Sequence, residues 1–398
     1  MTTLAQPETV SPNPSEFQGI PARIVFCVFV FTSVVSVLGI GVVLLTGRSA
    51  SIHDFTSYWA AGKLVLHGAN PYSERAVSVL ERTTGHSDTD TTIMRNPPSA
   101  LFLVIPLGLV GARAGSILWS LLILGCLAGS IRMIWRMNGS PLKPLHLLGY
   151  LFAPSLACLA TGQTGIFLLL GLVLFLRLHD SKPLLAGMAL CLCAMKPHLF
   201  LPFIVALLAW IVTRSAYRVL AGAALAMALC CGVPLFFDPS VWPQYFRMAQ
   251  TSGIESEFMP DLATMLRFAL DRRAMWLQFL PAAAACAWSL WYFHRHRADW
   301  DWQTHGSLLM LVSVLAAPYS WFTDQAVLLP ALLQGLYSGK SLISILALTS
   351  AASIEMLFFG TNLHSAQYCW PAAAWFIWYL WPARHSPSSM RLAKELEP

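Results

Sequence analysis

The chain has 398 residues, of which 56% are hydrophobic and 11% charged, and its mean hydropathy is +0.61. Soluble domains carry about 25% charged residues, so a soluble globular enzyme is excluded. The formal charge of +6 comes from Lys and Arg spread over short connections, the pattern of the positive-inside rule and not of a surface built for nucleic acid.

Taken in chain order, residues 1–23 are polar and Pro-bearing, without a basic n-region. No small-residue cleavage site follows the apolar run at 24–46, which is therefore expected as a retained span and not a signal peptide. Further apolar stretches lie near 99–112, 114–136, 145–160, 165–178, 184–195, 199–213, 219–237, 274–293, 306–317, 325–337, 341–358 and 369–382. Runs of about 20 apolar residues cross a bilayer as helices, and the period-2 segments of an outer-membrane barrel do not occur. The pattern predicts an all-α polytopic membrane protein with about 12 transmembrane segments, several too short to cross alone. Its domain plan is a cytoplasmic tail (1–23), a transmembrane domain (24–382) and a second cytoplasmic tail (383–398).

The basic groups Arg132/Arg136/Lys143, Arg177/Lys182, Arg214/Arg218, Arg295/Arg297, Lys340 and Arg384/Arg391/Lys394 are expected on the cytoplasmic side. That leaves the 47–98 loop, "TGQTG", "MKPHL", the 238–272 loop and "APYSWFTDQ" together on the other face. The arrangement requires 99–136 to make one net crossing, although its length allows two.

Within the first external loop, Phe55, Tyr58, Trp59, Gly62, Val65 and Leu66 recur at helical spacing, which predicts a short amphipathic helix lying in the membrane interface. Gly68 should end it, and Asn70 with Pro71 should start a second helix. In the 238–272 loop, "DPSVWPQYFRMAQ" and "MPDLATMLRFAL" read as two more short helices. Such external helices suit a membrane enzyme better than a channel or transporter. All nine cysteines sit in or at the ends of apolar segments and read as packing residues; Cys191 and Cys193 project from different helix faces, and no second pair accompanies them.

The succession "DFTSYWAAGKLVLHGANPY", "RNPPSALFLVIPL", "GQTGIFLLLGLVLFLRLHDSKPLLAGMALCLCAMKP" and "APYSWFTDQAVLLPAL" resembles, in order and spacing, glycosyltransferase family 87. These are GT-C-type enzymes that include polyprenyl-phosphate-mannose-dependent mannosyltransferases, and the likeness covers roughly residues 24–340. The resemblance implies an active site on the non-cytoplasmic face of the inner (plasma) membrane, a lipid-phosphate-linked sugar donor, and an essential aspartate in the first external loop, which falls on Asp54.

The chemistry of such a transfer asks for a base to take the acceptor proton and cations to neutralise the departing phosphate. One carboxylate suffices for a one-step inverting displacement, whereas a retaining one wants a second as nucleophile. Asp54 can serve as that base, or cap a helix starting at Phe55; His53 beside it reads as a solvated loop residue. Lys196, ahead of helix-breaking Pro197, can point a cation into a polar cavity with His198 alongside, or snorkel to headgroups. Gln163 can hydrogen-bond a ligand at a glycine-flanked break, or mark a plain turn. Arg95 and Asn96 can touch phosphate or sugar, or anchor the loop. Asp324 can bind sugar hydroxyls, orient Lys196, or cap. Tyr58 completes the expected substrate-binding group. No P-loop, EF-hand, His-x-x-x-His or Gly-x-Gly-x-x-Gly pattern is present, and "DTD" at 88–90 reads as a solvated loop, so neither metal nor cofactor is expected. The expected partners are the lipid donor, a lipid or glycan acceptor, and the membrane. A secondary transporter or lipid flippase is the alternative; it should show paired interrupted helices in corresponding halves, and the large loops here do not match each other. Nothing separates mannose from another hexose or from arabinofuranose.

Overall fold

The structure is a computed structural model that describes residues 19–46, 53–84, 93–251, 253, 257–359 and 366–381. Residues 1–18 of the expected N-terminal tail, the C-terminal tail (383–398) and "DTD" at 88–90 lie outside the described residues, whereas residues 19–23, expected in the tail, belong to the first helix. All regular structure is helical, with no strand among the described residues.

The first helix, α1 (Gly19–Thr46), turns Ile24, Phe26, Phe31 and Leu38 outward, a surface suited to lipid and not to water. Next, α2 (His53–Leu66) departs from the interfacial helix that the spacing predicts, because residues 55–61 are all buried. Small residues allow this enclosure. A Cβ on Gly62 would run into the Val104 carbonyl, and one on Gly108 would lie 2.6 Å from the Gly62 backbone. Gly62→Ala is therefore expected to destabilise by about 1–3 kcal/mol, the usual cost of overpacking; thermal unfolding in detergent checks it.

Gly68, at φ +66°, ends α2 as expected. The next helix, α3 (Glu74–Arg82), begins later than predicted. Ser73 caps it, its Oγ accepting the Ala76 amide at 3.4 Å, while Asn70 Oδ1 accepts the Tyr72 amide at 2.9 Å in an Asx turn.

Residues 98–109 form two 3-10 turns around the single-turn α4 (Leu101–Val104) and pack against α2. In the ambiguous stretch 99–136 there is thus one helix long and apolar enough to cross, α5 (Ala112–Met137). The centre is built from α6 (Ala153–Thr161), α7 (Gly165–Leu178), α8 (Pro183–Cys193), α9 (Leu201–Arg214) and α10 (Tyr217–Phe237). Of these, α7 is apolar on every side and nearly wholly buried, as a central helix must be. Where α8 and α10 cross, a Cβ on Gly187 would strike the Val219 carbonyl and one on Gly222 the Leu184 carbonyl; small residues bring membrane helices together in this way.

Amphipathic α11 (Val241–Thr251) and α12 (Leu262–Leu270) occupy the second predicted loop. They lead into α13 (Trp276–His296), α14 (Trp302–Leu315), α15 (Leu329–Tyr337), α16 (Leu342–Phe359) and α17 (Trp370–Leu380). Among the described residues, four segments meet the length and hydropathy of a span: Ala22–Val42, Ala112–Met137, Pro197–Arg214 and Tyr217–Phe237. All nine cysteines are free thiols.

Candidate active site

Three interruptions of the helical chain meet in one place. The first separates α6 from α7 at Gly162, whose φ of +76° closes α6 with a left-handed residue. Trp119 holds it by donating Nε1–H to the Gly162 carbonyl at 2.7 Å. The second separates α8 from α9, where Pro197 forces Lys196 out of the helical region (φ −139°, ψ 70°). The third follows α14, where Trp321 is extended and a 3-10 turn, Phe322–Leu328, leads into α15. The first and third touch directly: Cys158 Sγ donates to the Thr323 carbonyl at 3.3 Å, and a Cβ on Gly165 would collide with that same carbonyl. Backbone freed from helices at membrane depth must be buried in protein or line a cavity, and mutual packing of the breaks meets that demand.

The predicted residues gather on these breaks. Tyr58, from buried α2, donates its hydroxyl to Gln163 Oε1 at 3.3 Å. Lys196 Nζ donates to Asp324 Oδ1 at 2.7 Å, with 6% of the lysine and none of the aspartate exposed. Asp324 Oδ2 accepts the Trp321 amide at 3.0 Å. Asp324 therefore both orients Lys196 and starts a helical turn, while Lys196 is a buried ion-pair partner and does not snorkel. One ammonium donor goes to Asp324; two more remain for another acceptor. Asp54, partly exposed, lies in the first turn of α2 and not ahead of it. It lies four residues before Tyr58 on α2, on the same helix face, which sets it beside this cluster. The His198 ring meets Tyr319 edge-on, centroids 5.2 Å apart.

Arg95 stands at the margin, its guanidinium clamped by both Glu257 oxygens at 2.6 Å in the fork geometry arginine favours. Neighbouring Asn96 ties the loop to the second break, donating Nδ2–H to the Met195 carbonyl at 3.1 Å. Sequence reasoning missed Glu257 and Tyr319. Glu257 had a signal, as an acidic residue in the 238–272 stretch available to a loop arginine; Tyr319 had none beyond its place in "APYSW".

Asp261 was also missed. It caps α12 through Oδ1, which accepts the Thr264 amide at 2.7 Å, and its Oδ2 accepts the Ser320 amide at 3.2 Å, pinning the third break to α12. Burial pushes its carboxyl up to about 7. An unfolded aspartate loses its proton near 3.9, so between about pH 4 and pH 7 the folded state binds more protons and stability falls as pH rises. Above about 7 this contribution is flat. Asp261→Asn keeps the cap and should remove that slope, as read from melting temperature across pH.

The model of glycosyltransferase family 87 matches residues 95–318, more than half of the chain. The chain belongs to glycosyltransferase family 87. Arg95, Gln163, Lys196 and His198 lie within the matched span; Asp54, Tyr58 and Asp324 lie outside it. No curated protein and no solved structure matches the chain.

Away from the cluster, a cavity of about 470 Å³ is lined by His179, Trp210, Arg214, Arg218, Trp300 and Trp302, with Asp180 and Asp301. It holds none of the predicted site residues.

Proposed function

We propose that this family 87 glycosyltransferase is a GT-C-type enzyme that moves a hexose, mannose first among them, from a polyprenyl-phosphate-linked donor to a lipid or glycan acceptor. The observation that carries this reading is the gathering of the Tyr58–Gln163 and Lys196–Asp324 pairs on three packed helix interruptions, with Asp54 one helical turn before Tyr58 on α2. In this reading the Asp54 carboxylate takes the proton of the acceptor hydroxyl as the acceptor oxygen bonds to the anomeric carbon. The bond from that carbon to the phosphate oxygen breaks in the same step, inverting the centre, and polyprenyl phosphate leaves. Lys196 turns its two remaining donors to the phosphate, with Asp324 as its positioning residue. Tyr58, Gln163 and His198 supply neutral contacts to the sugar, and Arg95 meets the donor from the loop.

The reaction takes place on the non-cytoplasmic face of the inner membrane, the 47–98 and 238–272 loops lie on that face, both tails are cytoplasmic, and about 12 segments cross, the shorter helices by thinning the bilayer around them. Membership of a glycosyltransferase family leaves the transporter or flippase reading without an observation of its own.

The test is a donor panel with purified protein and a lipid-extract acceptor. Sugar should transfer from polyprenyl-phosphate mannose and not from nucleotide sugars. Transfer from the nucleotide sugar alone overturns the reading.

A further inference from the structure

We propose a zinc-binding clamp at the junction of α13 and α14, built by His296, Asp299 and His305. It lies at the far end of α13 from the candidate active site. Gln278, near the start of that helix, donates to the Pro318 carbonyl beside Tyr319, and His296 ends the same 21-residue helix, roughly 30 Å further along at 1.5 Å per residue.

The three side chains offer two imidazole nitrogens and one carboxylate oxygen, all within 4.8 Å of one another. Tetrahedral zinc, with bonds of about 2.0–2.1 Å, spaces its ligands about 3.3 Å apart. The remaining contraction falls on Asp299, which is exposed, and His296, which is half-exposed, so small rotamer changes accomplish it. His305 is buried and already fixed: its ring stacks on Trp300 at 4.7 Å and 13°, and its Nδ1 lies 2.7 Å from the Tyr292 hydroxyl. When Nδ1–H donates to that hydroxyl, Nε2 keeps its lone pair for a metal. Metal-binding histidines characteristically have their other nitrogen held in this way.

Tyr292 also packs against the His296 ring at 4.7 Å, and the two imidazoles lie 5.1 Å apart. One tyrosine thus orders both nitrogen ligands. The setting favours a cation besides. His296 lies in the last turn of α13, where the helix dipole is negative. Asp301 adds a carboxylate close by, with Oδ2 accepting the Thr304 amide at 2.8 Å as it caps α14. Two histidines and one carboxylate leave a tetrahedral fourth position open to water, and this mixed nitrogen and oxygen set suits zinc and not magnesium or calcium. Bound zinc would join two helices whose only covalent link is the short turn at 297–301.

The test uses the full chain, purified without a polyhistidine tag, stripped with chelator and titrated with Co2+ as a visible probe, then with Zn2+ in competition. One Co2+ per chain with the intense visible absorption of a four-coordinate site is expected, displaced by Zn2+. His296→Ala or Asp299→Asn, both at the surface and so compatible with folding, should weaken binding about 100-fold. Tyr292→Phe, which removes only the partner of Nδ1, should weaken it about 10-fold. The proposal is overturned if wild-type protein takes up no Co2+ at several hundred micromolar metal, or if the His296 and Asp299 variants bind like wild type, which would place the ion elsewhere.

Discussion

Asp54→Asn is expected to fold normally and to lose sugar transfer by about 10²–10⁴-fold, the range of general-base assistance, with donor binding largely kept. The reason is local. Asp54 sits in the first turn of α2, where its charge favours the helix dipole by about 0.3–1 kcal/mol, and asparagine keeps the size and the hydrogen-bonding oxygen while giving up the proton acceptor. If Asp54 served only the helix end, the ranking would reverse: asparagine would transfer sugar almost normally and the loss would appear as stability, most plainly in Asp54→Ala. Turnover, donor affinity and melting temperature on the same preparations separate the two.

The second large effect concerns the buried pair. Removing one partner, as in Lys196→Met or Asp324→Leu, leaves an uncompensated buried charge and should destabilise by about 3–5 kcal/mol. Such a variant loses activity whatever the lysine does, so the single substitutions do not identify its role. The double substitution Lys196→Met/Asp324→Leu does, because replacing both charges with apolar side chains is often neutral for stability. It is expected to lose only the roughly 0.5–2 kcal/mol of the acceptor taken from the Trp321 amide, far less than either single variant, and still to fail in transfer and in binding the lipid phosphate. A double variant that is stable and active would make the pair a structural device only. Lys196→Arg is also expected to fail, since a planar fork does not replace a compact ammonium inside this packing.

Much of this arrangement is legible in the sequence. Each of the thirteen apolar stretches read from it coincides with helix in the structure, because helical runs of apolar residues have few other fates in a membrane protein. The three interruptions are announced by Gly162, Pro197 and Pro318, residues whose backbone limits act locally. The burial of α2 is not legible. Its small and aromatic residues also fit an interfacial helix, and only the approach of Gly62 to Gly108, set by the fold of 98–109, closes the other face. The pairings are the least visible. Lys196 and Asp324 are 128 positions apart, and their pairing is visible in the sequence only as one of three roles open to Asp324; Arg95 and Glu257 are 162 apart, and charge type shows that Arg95 needs a partner and not which one it finds. For His296, Asp299 and His305 the turn at 297–301 does the gathering, and no recognised metal spacing advertises it.

The most direct test of the central claim is a cryo-electron microscopy structure of the protein with a non-transferable phosphonate analogue of a polyprenyl-phosphate sugar. The phosphonate oxygens are expected within about 3 Å of Lys196 Nζ and the sugar between Asp54 and the Tyr58–Gln163 pair, within reach of a hydrogen bond or one water. Density for the headgroup in the cavity at Arg214 and Arg218, with the Lys196–Asp324 cluster unvisited, would contradict it.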